Sequence, residues 1–236
     1  MSKNHLKRIA LPRTWALPRK SVNRKKMKFA SKPTAGKNLF LSMSLNNVVK
    51  DLLKLASTKK EVKAILQFKH LFVNGKRVRD EKFPVGIFDV ISFDELDSCY
   101  RLTLNKFGKL SSLEVDCSEK EIQVKKILGK TIMKGNKLQL NLFGSSNITV
   151  SDVKESFKVG DSIVIKNKKY DSTLPLASGS LVMLTGGRYM GHSALVKEIK
   201  DHVLFIELDG KVVETLTKYA YVIGKNKPII KVVEWA

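Results

Sequence analysis

The chain is poor in cysteine and in acidic residues, and it has no long apolar run. Cys99 and Cys117 are its only cysteines, and no CxxC pair occurs. We therefore expect neither a disulfide framework nor a structural zinc site, which is typical of a reducing compartment. No apolar stretch approaches the roughly 20 residues that cross a bilayer, and the first residues lack the apolar segment of a signal peptide. We expect no membrane association.

Motifs of catalytic sites are missing as well. The sequence contains no GxSxG, no GxGxxG and no pair of histidines at metal-ligand spacing. Gly129-Lys130-Thr131 resembles the end of a phosphate-binding loop, but Val124 stands where that loop requires its first glycine. We therefore predict that the protein is not an enzyme and that it has no catalytic residues, no cofactor and no metal site.

What the chain has in excess is positive charge. It carries 44 Lys and Arg against 22 Asp and Glu, a formal net charge of +22. Such an excess opposes folding by self-repulsion, so a polyanionic partner explains it best. Nucleic acid is favoured over an anionic membrane surface, because no long basic amphipathic helix stands out. Apolar residues make up 43% of the 236 residues, enough for the cores of two or three modules.

The positive charge is concentrated at the N-terminus. Residues 1–37 carry 12 Lys and Arg and no acid, and the first acidic residue is Asp51. The segment has few apolar side chains, so we predict a basic extension over residues 1–41 that becomes ordered on RNA. A solubilising tail and a transit peptide are the alternatives, although three prolines interrupt the helix that a transit peptide needs. Its candidate RNA contacts are Lys7, Arg8, Arg13, Arg19, Lys20, Arg24, Lys25 and Lys26.

Residues 42–95 predict a small module of two helices and a hairpin. Apolar residues recur at helical spacing over residues 44–56, and Thr58 with Glu61 forms a capping-box pattern for a second helix. Asn74-Gly75 between short apolar runs predicts a tight hairpin turn, and a further strand ends near Phe93. Except for Glu61, the charged side chains on the second helix are all basic, and the hairpin adds further cations. This predicts a phosphate-binding surface here. They are Lys59, Lys60, Lys63, Lys76 and Arg77.

The rest of the chain predicts two β-rich parts. Residues 96–172 show strand-like alternation and form a central domain, with a short helix expected over residues 119–129 and a linker over residues 171–178. Residues 173–236 hold five short apolar runs, typical of a small β-barrel. A glycine-rich loop there places Arg188 and Tyr189 between glycines, where they can contact phosphate and stack on a base.

Two of these segments resemble known modules. "TKKEVKAILQFKHLFVNGKRV" resembles the S4 RNA-binding domain, although Lys69-His70 replaces its usual glycine. "GSLVMLTGGRYMGHSALVKEI" resembles a KOW motif, with Gly191 as its hallmark glycine. With "HLKRIALPRTW", "FPVGIFDVISF", "GNKLQLNLFGSSNI" and "ETLTKYAYVIGK", nearly the whole chain resembles the small-subunit ribosomal protein S4e family, with the central and C-terminal loop regions slightly shortened.

The resemblance implies an α+β, multidomain protein with a basic arm, an S4-type domain, a β-rich centre and a C-terminal KOW-containing, SH3-like barrel. It implies a structural constituent of the small ribosomal subunit in the cytoplasm. Its partners would be small-subunit ribosomal RNA and neighbouring ribosomal proteins, with no small-molecule substrate. By the same resemblance Asn74 joins the candidate RNA contacts. An RNA-modifying enzyme with an appended recognition domain and a KOW-type transcription accessory factor remain as alternatives.

Overall fold

The computed structural model describes residues 5–17, 28–94, 98–135, 137–150, 157–167, 169–208 and 210–232. The chain forms two compact units: Met1–Asn105 with Lys109–Lys120, and Lys106–Gly108 with Glu121–Ala236. Antiparallel sheets are the main regular structure of the described residues, and the helices are few and short. Within these ranges, no helix has both the length and the apolar character needed to traverse a bilayer.

The first unit combines three antiparallel sheets with short helices. Its strands are β1 (His5–Lys7), β2 (Phe29–Ser31), β3 (Ser42–Ser44), β4 (Leu71–Val73), β5 (Lys76–Arg77), β6 (Pro84–Gly86), β7 (Val90–Phe93), β8 (Cys99–Leu104) and β9 (Leu110–Val115). Its helices are α1 (Leu45–Asn47), which continues as a π-helix (Val48–Leu52), and α2 (Lys59–Phe68), with 3₁₀ turns at Arg8–Ala10 and Leu39–Leu41. β1 pairs with β2, β3 pairs with β6, and the main sheet has the order β5-β4-β7-β8-β9.

The helix pair follows the predicted pattern, with one difference in length. Thr58 caps α2 in a full capping box with Glu61, which confirms the predicted start. The first helical segment ends at Leu52 instead of reaching residue 56. Lys54 has a left-handed φ of 56°, which no helix residue adopts, and this turns the chain toward α2. Leu45, Val48 and Val49 are fully buried, so the apolar face was identified correctly.

The N-terminal segment differs from the predicted extension. Its described parts pack into the first unit: Leu11, Trp15 and Leu17 are each at most 5% exposed. The Trp15 indole Nε1 donates a 3.1 Å hydrogen bond to the carbonyl of Leu39. The Leu110 amide donates to the carbonyl of Thr14 at 2.7 Å. The expectation of a segment without a core was wrong, because a few large apolar side chains suffice when the core is shared.

The main sheet of the first unit crosses the predicted boundary at residues 95/96. β8 pairs with β7 through Val90 opposite Arg101, and β9 then pairs with β8 over its whole length. The apolar side of this addition buries Cys99, Leu113 and Val115 against Val90. A strand edge at β7 would leave backbone groups unpaired, and β8 satisfies them. Two strands assigned to the central domain therefore extend the sheet of the preceding module.

The second unit contains two five-stranded antiparallel sheets. Its strands are β10 (Ile122–Met133), β11 (Lys137–Leu142), β12 (Ser146–Val150), β13 (Ser162–Lys166), β14 (Lys169–Leu174), β15 (Leu181–Leu184), β16 (Ser193–Lys200), β17 (Val203–Leu208), β18 (Lys211–Leu216) and β19 (Ala220–Gly224). One sheet has the order β12-β11-β10-β13-β14 and the other β18-β17-β16-β15-β19. A short 3₁₀ segment lies at Thr217–Tyr219, and another, Cys117–Glu121, begins in the first unit and ends on the first residue before β10.

Two local expectations in this part of the chain were wrong. The segment 119–129, expected to be a helix, forms a 3₁₀ turn and then the first half of β10. Pairing with β13, about forty residues later, decides its conformation, with Val124 opposite Val164. The expected linker 171–178 begins with β14, which continues to Leu174. A partner distant in sequence thus overrides local preference at residues 119–129, whereas β14 pairs with β13, the strand directly before it.

Lys126 links two strands of the second unit from its interior. The side chain is 6% exposed. Its ammonium Nζ donates to the carbonyls of Thr217, Lys218 and Ala220 at 3.1, 3.0 and 2.6 Å. Burial lowers the pKa of Lys126 to about 8. Beside it the Tyr221 hydroxyl donates to the carbonyl of Val124 at 2.6 Å. β10 and β19 are thus joined by buried polar contacts.

Candidate nucleic-acid interface

A capping box fixes the start of α2. It also engages Glu61, the one acidic residue of this helix. The Glu61 amide donates to the Thr58 hydroxyl at 3.3 Å, and the Glu61 carboxylate accepts from the Ser57 amide at 2.8 Å. The Ser57 amide and the Thr58 side chain lower the pKa of the Glu61 carboxyl. The Glu61 carboxylate is therefore engaged by backbone amides at the helix start, and its charge is directed there and not toward the neighbouring lysines.

The lysines of α2 do not have equal surroundings. Val62 and Leu66 face the core. Lys59 makes a 2.7 Å salt bridge to Glu81, so part of its charge is already balanced. Lys60 and Lys63 are exposed on the turns that follow the cap. An ammonium on a capped, packed helix has less positional freedom than one on a loop, which favours binding to a fixed phosphate.

The β4–β5 hairpin presents Lys76 and Arg77 at a tight turn. Asn74 and Gly75 have φ of 53° and 69°, as the predicted turn requires. Phe72 lies opposite Arg77 in the register. Both Lys76 and Arg77 are exposed. The turn therefore holds two cations close together at one end of the main sheet of the first unit.

The Asn74 side chain is occupied inside the protein. Its Oδ1 accepts from the Val90 amide at 2.9 Å, and its Nδ2 donates to Asp89 at 2.7 Å. Asp89 also accepts from the Gly86 amide at 2.7 Å and forms a salt bridge with Lys37. Asn74 thus fixes the hairpin against β7. Sequence reasoning missed Asp89 and Lys37, because the network joins residues 15 and 52 positions apart along the chain.

The N-terminal candidates are placed differently from one another. Lys7 and Arg13 are exposed. Arg8 is buried, with its guanidinium 3.6 Å from Asp51. Burial raises the pKa of the Asp51 carboxyl, although the Arg8 charge opposes this rise. Arg8 thus pairs inside the first unit. Arg19, Lys20, Arg24, Lys25 and Lys26 lie outside the described residues.

Two cation–aromatic pairs lie at the glycine-rich loop of the second unit, one within the loop and one beside it. The Arg188 guanidinium lies 5.8 Å from the Tyr189 ring centroid, and the Lys218 ammonium lies 4.9 Å from that of Tyr219. Gly186 packs flat on Tyr219: a Cβ there would lie 2.5 Å from the ring. Sequence reasoning missed Lys218 and Tyr219, because they follow another strand, about thirty residues later.

Gly191 has a backbone conformation that favours glycine. Its φ is 92°, in the region that favours glycine, and its amide donates to the carbonyl of Leu184 at 2.8 Å. This bond closes the loop between β15 and β16. Throughout the part of the chain that is described, no group of three or more His, Cys, Asp or Glu could hold a metal ion.

Comparison with known proteins places these modules in one family. The profile of a family described as "Ribosomal family S4e" matches residues 96–171, and that of the "S4 domain" matches residues 43–91. A protein named small ribosomal subunit protein eS4 from Methanocella arvoryzae is 35% identical over 98% of both chains. The protein of the same name from Methanocaldococcus jannaschii is 33% identical over 97% of both.

A solved structure has the same fold. The crystal structure of 30S ribosomal protein S4e from Thermoplasma acidophilum superposes with a TM-score of 0.68 at 24% identity, covering 78% of this chain and 96% of that one. The S4 domain and the β-rich remainder agree with the α+β, multidomain class expected from the sequence. With relatives above 30% identity along almost its entire length, the chain belongs to the ribosomal protein family S4e.

Proposed function

We propose that this protein is a structural constituent of the small ribosomal subunit in the cytoplasm, where it binds ribosomal RNA and catalyses no reaction. The observation that carries the proposal is the near full-length similarity to proteins named small ribosomal subunit protein eS4. The net charge of +22 gives this identity a physical basis, because a polyanionic scaffold relieves the self-repulsion of the chain.

The first RNA-binding surface consists of the exposed cations on α2 and on the β4–β5 hairpin. Lys60, Lys63, Lys76 and Arg77 are the residues that we assign to it. Lys59 contributes more weakly, because Glu81 shares its charge. Asn74 has a positioning role, since both ends of its amide are bound inside the protein. Exposed Lys7 and Arg13 extend the set toward the N-terminus.

The second surface is the glycine-rich loop of residues 185–192. We assign residues 173–236 to a KOW-containing, SH3-like barrel, which the β18-β17-β16-β15-β19 order supports. Arg188 provides a planar cation for phosphate or a base edge, and Tyr189 provides a ring for stacking. Lys218 and Tyr219 join this surface because Gly186 packs on the Tyr219 ring.

The experiment is sedimentation of small subunits from the source organism through increasing salt, followed by quantification of this chain. An integral constituent stays with the particle at one copy each at moderate salt, whereas an accessory factor or a modifying enzyme is released. In parallel, affinity of the pure chain for small-subunit RNA should fall roughly 10³-fold or more from 50 to 200 mM salt if six or more phosphates are bound. Stoichiometric absence from the particle would overturn the proposal.

A further inference from the structure

The outer face of the strands β16, β17 and β18 is unusually apolar for a water-facing surface. Alternation in β17 turns Leu204 and Ile206 inward, where both are fully buried. The opposite face presents Leu195 at 40%, Val212 at 55% and Leu216 at 40% exposure. Val203 and Phe205 lie between them and are half-buried. Contiguous exposed apolar side chains of this kind mark interaction sites more often than solvent-facing surface.

The same face carries a small excess of acidic side chains, whereas the protein as a whole is strongly basic. The register places Glu198, Glu207 and Glu214 on it: Glu198 and Glu214 lie on either side of Phe205, and Glu207 lies between Leu195 and Val212. Lys200 and Lys197 balance two of these acids through 3.3 Å salt bridges to Glu198 and Glu207. In the described ranges no salt bridge reaches Glu214.

This charge pattern disfavours RNA as the occupant of the face. A phosphate backbone would meet the unbalanced carboxylate of Glu214, and the two lysines that could attract it are already paired with Glu198 and Glu207. A basic polypeptide would instead be attracted by the carboxylates of this face. Its apolar side chains can contact Val212 and Leu216, and its cations can approach Glu214, Glu198 and Glu207.

β18 also offers backbone for pairing. Among the described residues it pairs only with β17 and ends its sheet. Its six residues run without a register shift from Leu216 opposite Val203 to Lys211 opposite Leu208. A long, regular edge with exposed valine and leucine is a template for an added strand.

We propose that the free edge of β18 and the outer face of β16–β18 bind a basic, extended segment of another protein, which adds to the sheet as a strand. This inference adds a protein partner to the proposed RNA-binding function, on which it rests for the presence of basic neighbours. The side chains that recognise the segment are Val212, Leu216 and Glu214, and the pairing groups are the outward amides and carbonyls of β18.

The test is a titration of the ¹⁵N-labelled full chain with a capped eight-residue peptide that alternates lysine and valine. The amide signals of β18 should shift on addition of this peptide. A matched peptide alternating glutamate and valine should leave them in place. Glu214→Lys should weaken the lysine peptide at least tenfold, whereas Glu121→Lys, which changes an exposed acid outside this face, should change its affinity by less than twofold.

Three results would overturn the proposal. Equal shifts with both peptides would mean unspecific apolar contact, and shifts at other sheet edges would place the site elsewhere. Shifts of β18 that depend on concentration without peptide would identify a second copy of the chain as the occupant. Affinity for small-subunit RNA is measured on the same variants: Glu214→Lys should not lower it, so loss of RNA binding and loss of peptide binding report on the two proposals separately.

Discussion

The side-chain amide of Asn74 donates a 2.7 Å hydrogen bond to the carboxylate of Asp89. Through this contact the turn that carries Lys76 and Arg77 is fixed to the strand that follows Asp89, and Lys37 pairs with the same carboxylate. One buried acid therefore positions a cationic hairpin, although it contributes no positive charge itself.

Replacing Asp89 by alanine should destabilise the first unit by roughly 2–4 kcal/mol, because the change leaves the partly buried Lys37 and the Asn74 amide without their acceptor. Chemical denaturation followed by circular dichroism measures the free energy of unfolding. Asp116→Ala, at an exposed acid, is the control and should stay within about 0.5 kcal/mol of the parent. Equal stability of the two variants would contradict the positioning role of Asp89.

Removing Lys60 and Lys63 together should weaken RNA binding and its dependence on salt. If each contacts one phosphate, the slope of log affinity against log salt should decrease by roughly 2 in magnitude. Filter binding at four salt concentrations gives the slope. The control double variant, Lys109→Ala with Lys120→Ala, removes two exposed lysines of the same unit and should leave the slope near that of the parent. The same loss of slope in both variants would mean a diffuse charge effect.

Trp15→Ala should cost roughly 3–5 kcal/mol of stability, because the indole is 2% exposed in the core of the first unit. Ile9→Ala in the same segment should cost almost nothing, since Ile9 is 88% exposed. Thermal unfolding of the RNA-free chain measures both. A Trp15 variant as stable as the parent would mean that the N-terminal segment is detached without RNA.

Lys126 should make stability depend on pH in the alkaline range. The folded chain releases this proton near pH 8, whereas an ordinary lysine holds it to about pH 10.5. Between these values the unfolded state binds more protons, so raising the pH stabilises the parent relative to Lys126→Met, by roughly 3 kcal/mol at most. Unfolding free energies at pH 7.5, 9 and 10.5 measure the difference, and Lys120→Met is the control. If the free energy of unfolding of the parent, relative to that of Lys126→Met, fell or stayed constant as the pH rises, the lowered pKa would be contradicted.

Features set by neighbouring residues could be predicted from the sequence. The α2 cap depends on Thr58 and Glu61, three positions apart, and the hairpin depends on two adjacent residues with positive φ. The exposed cations on both elements followed from the same local patterns. Such features need no knowledge of the rest of the chain, because their hydrogen bonds close within a few residues.

Features set by distant partners could not be predicted. β10 has the residue pattern of a short helix in its first half, and only β13 makes it a strand. Trp15 looked like part of a solvated segment until Leu39 and Leu110 enclosed it. Glu214 reads as one more surface acid until the register of β16–β18 places it beside Phe205. No local pattern encodes these neighbours.

The three carbonyls that receive the Lys126 ammonium come from residues 217, 218 and 220, more than ninety positions later. At roughly 5–20 residues per second, the ribosome adds this lysine to the chain several seconds before it adds the residues that carry the acceptor carbonyls. The first unit, complete by Lys120, can fold during that interval. The second unit cannot, so a product terminated before residue 217 would leave a cation without acceptors at the centre of an unfinished sheet.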